Sequence, residues 1–253
     1  MTVVSYAQNF EDIMLLRALD DVSEGFYIDV GACSPDADSV TRLFYDRGWR
    51  GINVEPHPGH LQQLESKRPD DTNLGVVVAG KSGTALFHQV GDTGLSSTNP
   101  EIARTHEATG LPVTELEVPA TTLRDLWTAH VPEGQAVHFL KIDVEGAEAD
   151  VLAGGDWEAH RPWILVIEAT APNSQTPNHA EWENVLLEHD YSVVYRDGLN
   201  RFYLANEHRE RAGAFSAPPN VFDDFTLYSQ VLIEQKARAL VTEARGLRET
   251  LEQ

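Results

Sequence analysis

Two acids follow short apolar runs early in the chain, Asp29 in Tyr27-Ile28-Asp29-Val30 and Glu55 after Ile52-Asn53-Val54. Gly31, just past the first, lets backbone approach a ligand closely. Glu55 falls roughly 20 residues beyond that loop, where dinucleotide folds hold ribose hydroxyls with a carboxylate. Either motif alone is also explained by an ordinary strand–turn–helix with an N-capping Ser or Asp. The ordered pair, each acid directly after an apolar strand, points to a nucleoside. The loop Gly31-Ala32-Cys33-Ser34-Pro35-Asp36 has one glycine, a proline and an extra acid. A pyrophosphate asks instead for GxGxxG and free amides at a helix N-terminus. The loop suits a cationic or zwitterionic ligand, and S-adenosylmethionine has the right parts: a sulfonium, an amino-acid end and a ribose that needs a carboxylate.

Bringing these groups to one place requires an open sheet, because ligands bind beyond the carboxyl ends of its strands, where strand order reverses. The apolar runs predict strands at Phe26–Val30, Gly51–Glu55, Leu74–Ala79, Val137–Ile142 and Trp163–Ile167. Between them the spacing predicts helices over Ser39–Arg47, Pro58–Ser66, Glu148–Leu152 and Ala180–His189. Tyr191–Tyr195 and Arg201–Leu204 read as a closing hairpin. Alternating strands and helices imply a parallel, doubly wound α/β sheet with an antiparallel last strand. Gly80–Thr121, rich in Gly, Ser and Thr, fits an insertion better than core.

The chain resembles the FkbM-type methyltransferases, within the S-adenosylmethionine-dependent enzymes with a seven-stranded Rossmann-like sheet. The residues that carry the likeness are Ser5-Tyr6-Ala7-Gln8-Asn9-Phe10-Glu11-Asp12, Asp29-Val30-Gly31-Ala32, the run from Gly48 to Pro56 and Lys141-Ile142-Asp143-Val144-Glu145-Gly146-Ala147-Glu148. Glu168-Ala169-Thr170 and Asp197-Gly198-Leu199-Asn200-Arg201 extend it, so that it runs from about residue 5 to 207. Many members carry DVGAN and a further glycine where this chain has Cys33 and Pro35. The resemblance implies that Asp29 and Gly31 line the methionine end, that Glu55 with Pro56 beside it holds the ribose, and that Ala79 and Gly80 flank the adenine. It also implies that Tyr6–Asp12 folds over the cofactor, with Gln8 and Glu11 as polar contacts. A plain amphipathic helix, with Ile13, Leu16 and Leu19 on its buried face, is the alternative for that segment.

Methyl transfer to a hydroxyl needs alignment of nucleophile and methyl, and help in removing a proton. Candidates belong at the carboxyl ends of the fourth and fifth strands. Asp143 ends one and Glu168 the other, and an acid directly after an apolar strand is costly to bury without a task or a partner. Asp143 is thus both a cofactor contact and a catalytic candidate. Lys141 shares its strand parity and points to the same side. Glu145 and Glu148, in the next turn, have a competing role in stabilising a helix N-terminus. Asp143 with Glu168 could also hold a hard divalent metal such as Mg²⁺ through oxygen ligands and water. His179 opens the fifth crossover, and its neutral imidazole could take the acceptor proton or contact substrate. Asp197, Asn200 and Arg201 fall at the same sheet edge and could bind sugar hydroxyls; turn chemistry accounts for Asp197 and Gly198 but not for Arg201. Ser96 and Ser97, in the insertion, are the candidates for a lid over cofactor or acceptor.

These groups imply an O-methyltransferase acting on a sugar hydroxyl of a glycan, glycolipid or glycosylated natural product. The rivals are a nicotinamide-dependent oxidoreductase, which the missing GxGxxG opposes, and a non-catalytic cofactor-binding module. The 253 residues suffice for one α/β domain, expected over 1–217 with its insertion at about 81–120. A net charge of −21 makes a poor non-specific binder of nucleic acid or anionic lipid. Cys33 is the one cysteine, so neither an intramolecular disulfide nor a cysteine-rich zinc site can form. No apolar stretch is long enough for a membrane span, and the acids in MTVVSYAQNFED oppose a secretory signal, so the cytoplasm is expected. Beyond Pro218-Pro219, Val221–Gln253 reads as one long helical extension. Ile233, Ala237, Leu240, Ala244, Leu247 and Leu251 recur at spacings of four and three, a seam that either packs on its own domain or pairs with another segment, and pairing of two chains as a homodimer is expected.

Overall fold

The computed structural model describes residues 3–251. In chain order, β1 (Val3–Ser5), α1 (Glu11–Ala18), β2 (Phe26–Val30), α2 (Arg42–Asp46), β3 (Arg50–Val54), α3 (Pro58–Lys67) and β4 (Thr72–Leu74) form the first half. Next come β5 (Val77–Val78), β6 (Gly83–Val90), α4 (Pro100–Ala108), β7 (Val113–Thr121) and α5 (Leu123–His130). Then follow β8 (Phe139–Ile142), α6 (Glu148–Ala153), β9 (Ile164–Glu168), α7 (Glu183–Leu187), β10 (Tyr191–Arg196), β11 (Asn200–Ala205), β12 (Phe225–Leu227) and α8 (Tyr228–Leu251).

The chain is a mixed α/β protein around a central, mostly parallel sheet, consistent with a methyltransferase fold. Its seven strands lie in the order β10-β11-β9-β8-β2-β3-β4. β2 pairs in parallel with both β3 and β8, while β11 runs antiparallel to both β9 and β10. Strand order reverses at β2, with β3 on one side and β8 on the other, and a crevice opens beyond the carboxyl ends at such a point. Alternation along the strands gives each face its own core. Ile28, Ile52, Leu140, Ile142, Leu165 and Ile167 are buried on one face, and Tyr27, Phe139, Val166 and Phe202 on the other. Each such side chain contributes roughly 1.5–3 kcal/mol relative to exposure, so both faces hold the strand ends rigidly.

Three expected elements differ. Leu74–Ala79 is not one strand. Thr72–Leu74 pairs with β3, and the chain then leaves the central sheet so that Val77–Val78 pairs with Ala120–Thr121. Those two valines open a second sheet, β5-β7-β6, and Gly80–Thr121 is thereby an ordered hairpin around α4. The helix expected over Ala180–His189 is a 3-10 turn, His179–Glu181, followed by α7, because Trp182, with φ −132°, leaves helical geometry to bury its ring on the core. The C-terminal segment is not one helix from Val221. Asp224 adopts φ 47°, Phe225–Leu227 pairs in parallel with Val3–Ser5, and α8 starts at Tyr228. Glu252 and Gln253 of the expected helix, and the side chains of Leu247 and Leu251, lie outside the described residues. No helix among those described is long and apolar enough to cross a membrane.

Candidate functional site

The crevice at β2 is a cavity of about 390 Å³. Its walls come from the ends of β2, β3 and β8, from Val76 in the link after β4, from Val77, Val78 and Phe87 of the second sheet, and from the loop Thr93–Thr98. Gln8, Gly31, Glu55, Pro56, Ser96, Ser97 and Asp143 all line it. Sequence reasoning missed Val76, Val77, Val78 and Phe87; only the second sheet brings this apolar wall to the cavity.

The β2 turn is tightly determined. Gly31 has φ 82°, and a Cβ there would sit 1.8 Å from the Asp143 carbonyl oxygen. Glycine is needed because β8 crosses at that point, beyond any need of a ligand. The Gly31 and Ala32 amides donate to the Val54 carbonyl, and the Cys33 amide donates to Glu55 Oε2 at 2.8 Å. The His57 amide donates to Glu55 Oε1 at 2.7 Å. Burial pushes the Glu55 carboxyl up, against these two amide donors.

Asp29 stands behind the turn rather than in the cavity lining. Its Oδ2 accepts from Thr41 Oγ1 at 3.0 Å, and Lys141 Nζ lies 3.5 Å from its Oδ1. Thr41 also accepts from the buried Arg68, which donates further to Tyr27 Oη and the Pro35 carbonyl. Lys141 Nζ donates to the Gly31 carbonyl at 2.9 Å and sits 3.4 Å from Asp143 Oδ2. Burial works against this ammonium, yet the carboxylates of Asp29 and Asp143 hold its pKa well above the ordinary lysine range.

The other wall is acidic. Carboxylate oxygens of Asp143, Glu145 and Glu168 lie within 4.8 Å of one another. Burial, then the charges of Asp143, Glu145 and Glu148, push the Glu168 carboxyl up to about 10. Burial, then Asp143 and Glu148, push Glu145 up to about 8. Glu148 accepts from the Val144 and Gly146 amides and braces the turn, in which Glu145 takes φ 53°. Ser97 Oγ donates to the Glu145 carbonyl at 2.8 Å, and Ser96 Oγ accepts from the Val90 amide, so the loop is fastened at this wall. At its other end His57 Nε2 meets the Gly91 carbonyl at 3.1 Å, and His60 Nε2 lies 3.3 Å from Asp92. His57, His60 and Asp92 also cluster, but His57 Nδ1 caps α3 by accepting from Gly59 and His60, which leaves it poorly placed to take a metal.

The remaining expected site residues do not line the cavity. Glu11 Oε1 accepts from Asn200 Nδ2 at 2.6 Å, and both are buried, tying α1 to the β10–β11 hairpin. Burial pushes the Glu11 carboxyl up to about 7. Asp197 accepts from the Leu199 and Asn200 amides as a turn residue. Arg201 pairs with Glu183, whose Oε1 also accepts from Tyr203 Oη. Ala79 donates to the Thr121 carbonyl, and Gly80 faces Asp150 beside a separate shallow hollow. His179, half-buried, has Nδ1 without a hydrogen-bond partner, and burial followed by the Arg201 charge lowers its pKa.

The model of the methyltransferase FkbM domain matches residues 29–193, well over half of the chain. No curated protein matches it.

Proposed function

Since the chain belongs to the methyltransferase FkbM domain family, we propose that it is an S-adenosyl-L-methionine-dependent O-methyltransferase acting on a sugar hydroxyl of a glycan, glycolipid or glycosylated natural product. The carrying observation is that a buried Glu55 carboxylate and the Asp143 carboxylate face one cavity at the point where strand order reverses. We read the sheet as the Rossmann-like, doubly wound class I methyltransferase arrangement, with β11 as its antiparallel last strand. The methyltransferase unit spans 1–217, and 218–253 is an extension that pairs two chains through α8.

The residues present fit the cofactor. Glu55, held by the Cys33 and His57 amides, keeps lone pairs for two ribose hydroxyls. Val76–Val78 and Phe87 offer an apolar face for a purine. Asp29, Lys141 and the Gly31 turn shape the methionine end, and Gln8 covers it. When bound, the cofactor supplies an electrophilic methyl on its sulfonium. Asp143 lines the same cavity and would take the proton of an acceptor hydroxyl placed there. Glu168 stands behind Asp143 and tunes its charge. His179, Asp197, Asn200 and Arg201 would act farther out, toward the sugar. A divalent ion such as Mg²⁺ between Asp143 and Glu168 belongs to the finer form of this reading, as does a cytoplasmic site of action.

The test is a glycan and glycoside panel incubated with the full chain and a methyl-labelled donor, read by mass spectrometry. Label in a sugar-bearing product is expected. Calorimetry with S-adenosylhomocysteine and with NAD separates the readings: binding of NAD alone would replace the methyltransferase by an oxidoreductase.

A further inference from the structure

We propose that Asp143, Glu145 and Glu168 form a three-carboxylate site for one hard divalent cation, with Glu145 as a full ligand and with the open coordination positions facing the cavity. Its existence does not depend on the methyl-transfer reading; only its use on an acceptor rests on that.

The donor set is the first argument. Each residue offers a carboxylate oxygen, all within 4.8 Å of one another, and neither histidine nor cysteine belongs to the group. Oxygen-only sets select Mg²⁺, Mn²⁺ or Ca²⁺ over zinc or copper. The second argument is independent of the clustering. Glu168 is 8% exposed, and its Oε2 has no hydrogen-bond partner. A buried, ionised carboxylate oxygen without a donor is costly; either a retained proton or a bound cation relieves it, and a cation can take the place of the proton. Protein cations do not fill this role. Lys141 reaches Asp143 but is shared with Asp29 and the Gly31 carbonyl, and among the described residues no lysine or arginine pairs with Glu145 or Glu168.

Position then decides what such an ion would see. Asp143 and Glu145 line the cavity, whereas Glu168 lies behind them on β9. Three carboxylate oxygens leave about three positions of an octahedral shell. Because Asp143 and Glu145 line the cavity, water or the oxygens of an acceptor there could take the remaining positions. Ser97, through the Glu145 carbonyl, holds the third ligand in place from the loop.

The experiment is titration of the full chain with Mn²⁺ alone, without cofactor or acceptor, followed by electron paramagnetic resonance. One Mn²⁺ per chain, displaced by Mg²⁺, is expected. Glu145→Gln and Glu168→Gln should each weaken it about tenfold or more, while His60→Ala, in the neighbouring cluster, should leave it unchanged. Thermal melts of the variants in EDTA check that they fold. No binding at millimolar Mn²⁺, binding indifferent to both glutamine variants, or binding lost in His60→Ala overturns the proposal. S-adenosylhomocysteine calorimetry on the same sample keeps the two readings apart: homocysteine-analogue binding without Mn²⁺ removes the cation site alone, and Mn²⁺ binding without it removes the methyltransferase reading alone.

Discussion

The two walls of the cavity are built from the same residue type and treat it in opposite ways. On the β2–β3 side, Glu55 receives two backbone amides, and Asp29 has Thr41 and the neighbouring Lys141. On the β8–β9 side, Asp143, Glu145 and Glu168 crowd together with one shared lysine between them. On the first wall Glu55 is held by amide donors, while Asp29 Oδ1 has no hydrogen-bond partner and is balanced by the Lys141 ammonium 3.5 Å away. The second crowds three carboxyls in a place of low solvent access, where like charges repel strongly and Glu145 and Glu168 hold their protons far above the ordinary carboxylate range. That wall is completed by what binds there, a proton or a cation, and it is where chemistry has something to change.

The largest expected effect breaks the first wall. If Glu55 accepts two ribose hydroxyls, as proposed, Glu55→Ala should weaken S-adenosylhomocysteine by more than about 100-fold, since each hydrogen bond to a charged group is worth roughly 1.5–3 kcal/mol. Calorimetry measures it, and unchanged affinity would remove Glu55 from the ribose.

Breaking the second wall should divide activity from stability. Glu168→Gln should lower turnover by about 10²-fold while raising the melting temperature at pH 8 in EDTA. The sign follows from the folded carboxyl titrating at about 10, above its ordinary value of 4.5. Its contribution to stability is fully present below pH 4.5 and is lost as pH rises toward 10. Melts of the wild type from pH 5 to 9 should therefore fall more steeply than those of the variant, and parallel curves would show that Glu168 does not carry the strain. Glu11, titrating at about 7, adds the same downward slope between pH 4.5 and 7 to both proteins and cancels from the comparison.

Smaller effects sharpen the comparison. Ser97→Ala loses the bond to the Glu145 carbonyl, worth about 1 kcal/mol, and should speed amide exchange across the loop Thr93–Thr98 with little change in global stability. A chain ending at Leu227 keeps β12 paired with β1 and removes α8, whose Ile233 and Leu240 are exposed. Sedimentation should show a smaller assembly, with cofactor affinity unchanged at both walls. If both forms sediment as monomers, α8 does not pair chains.

Much of the frame was legible in one dimension. Apolar runs of strand length with acids behind them marked the ends of β2, β3, β8 and β9, because a strand buried on both faces must read as continuous hydrophobic sequence. The hairpin Tyr191–Ala205 was legible from Asp-Gly between alternating residues. Local signals failed where a distant partner decided the outcome. Leu74–Ala79 splits because Val77 and Val78 find Ala120 and Thr121 more than 40 residues away. Phe225–Leu227 is a strand because Val3–Ser5 lies alongside it, although its own pattern continues into a helix.

The site divides along the same line. Residue type and strand position sufficed for Gly31, Glu55 and Asp143, which a sheet delivers to its carboxyl edge whatever surrounds it. The partners of Glu11, Asn200 and Arg201 were decided by tertiary structure. Asn200 donates to Glu11 across the molecule, and Arg201 pairs with Glu183. Whether a polar side chain is free for a ligand depends on its partners, and hydrogen-bond and ion-pair partners come from any part of the chain that packing brings within 3 Å or so. The sequence by itself determined which groups stand at the sheet edge; only the packed chain decided which of them remained unspent.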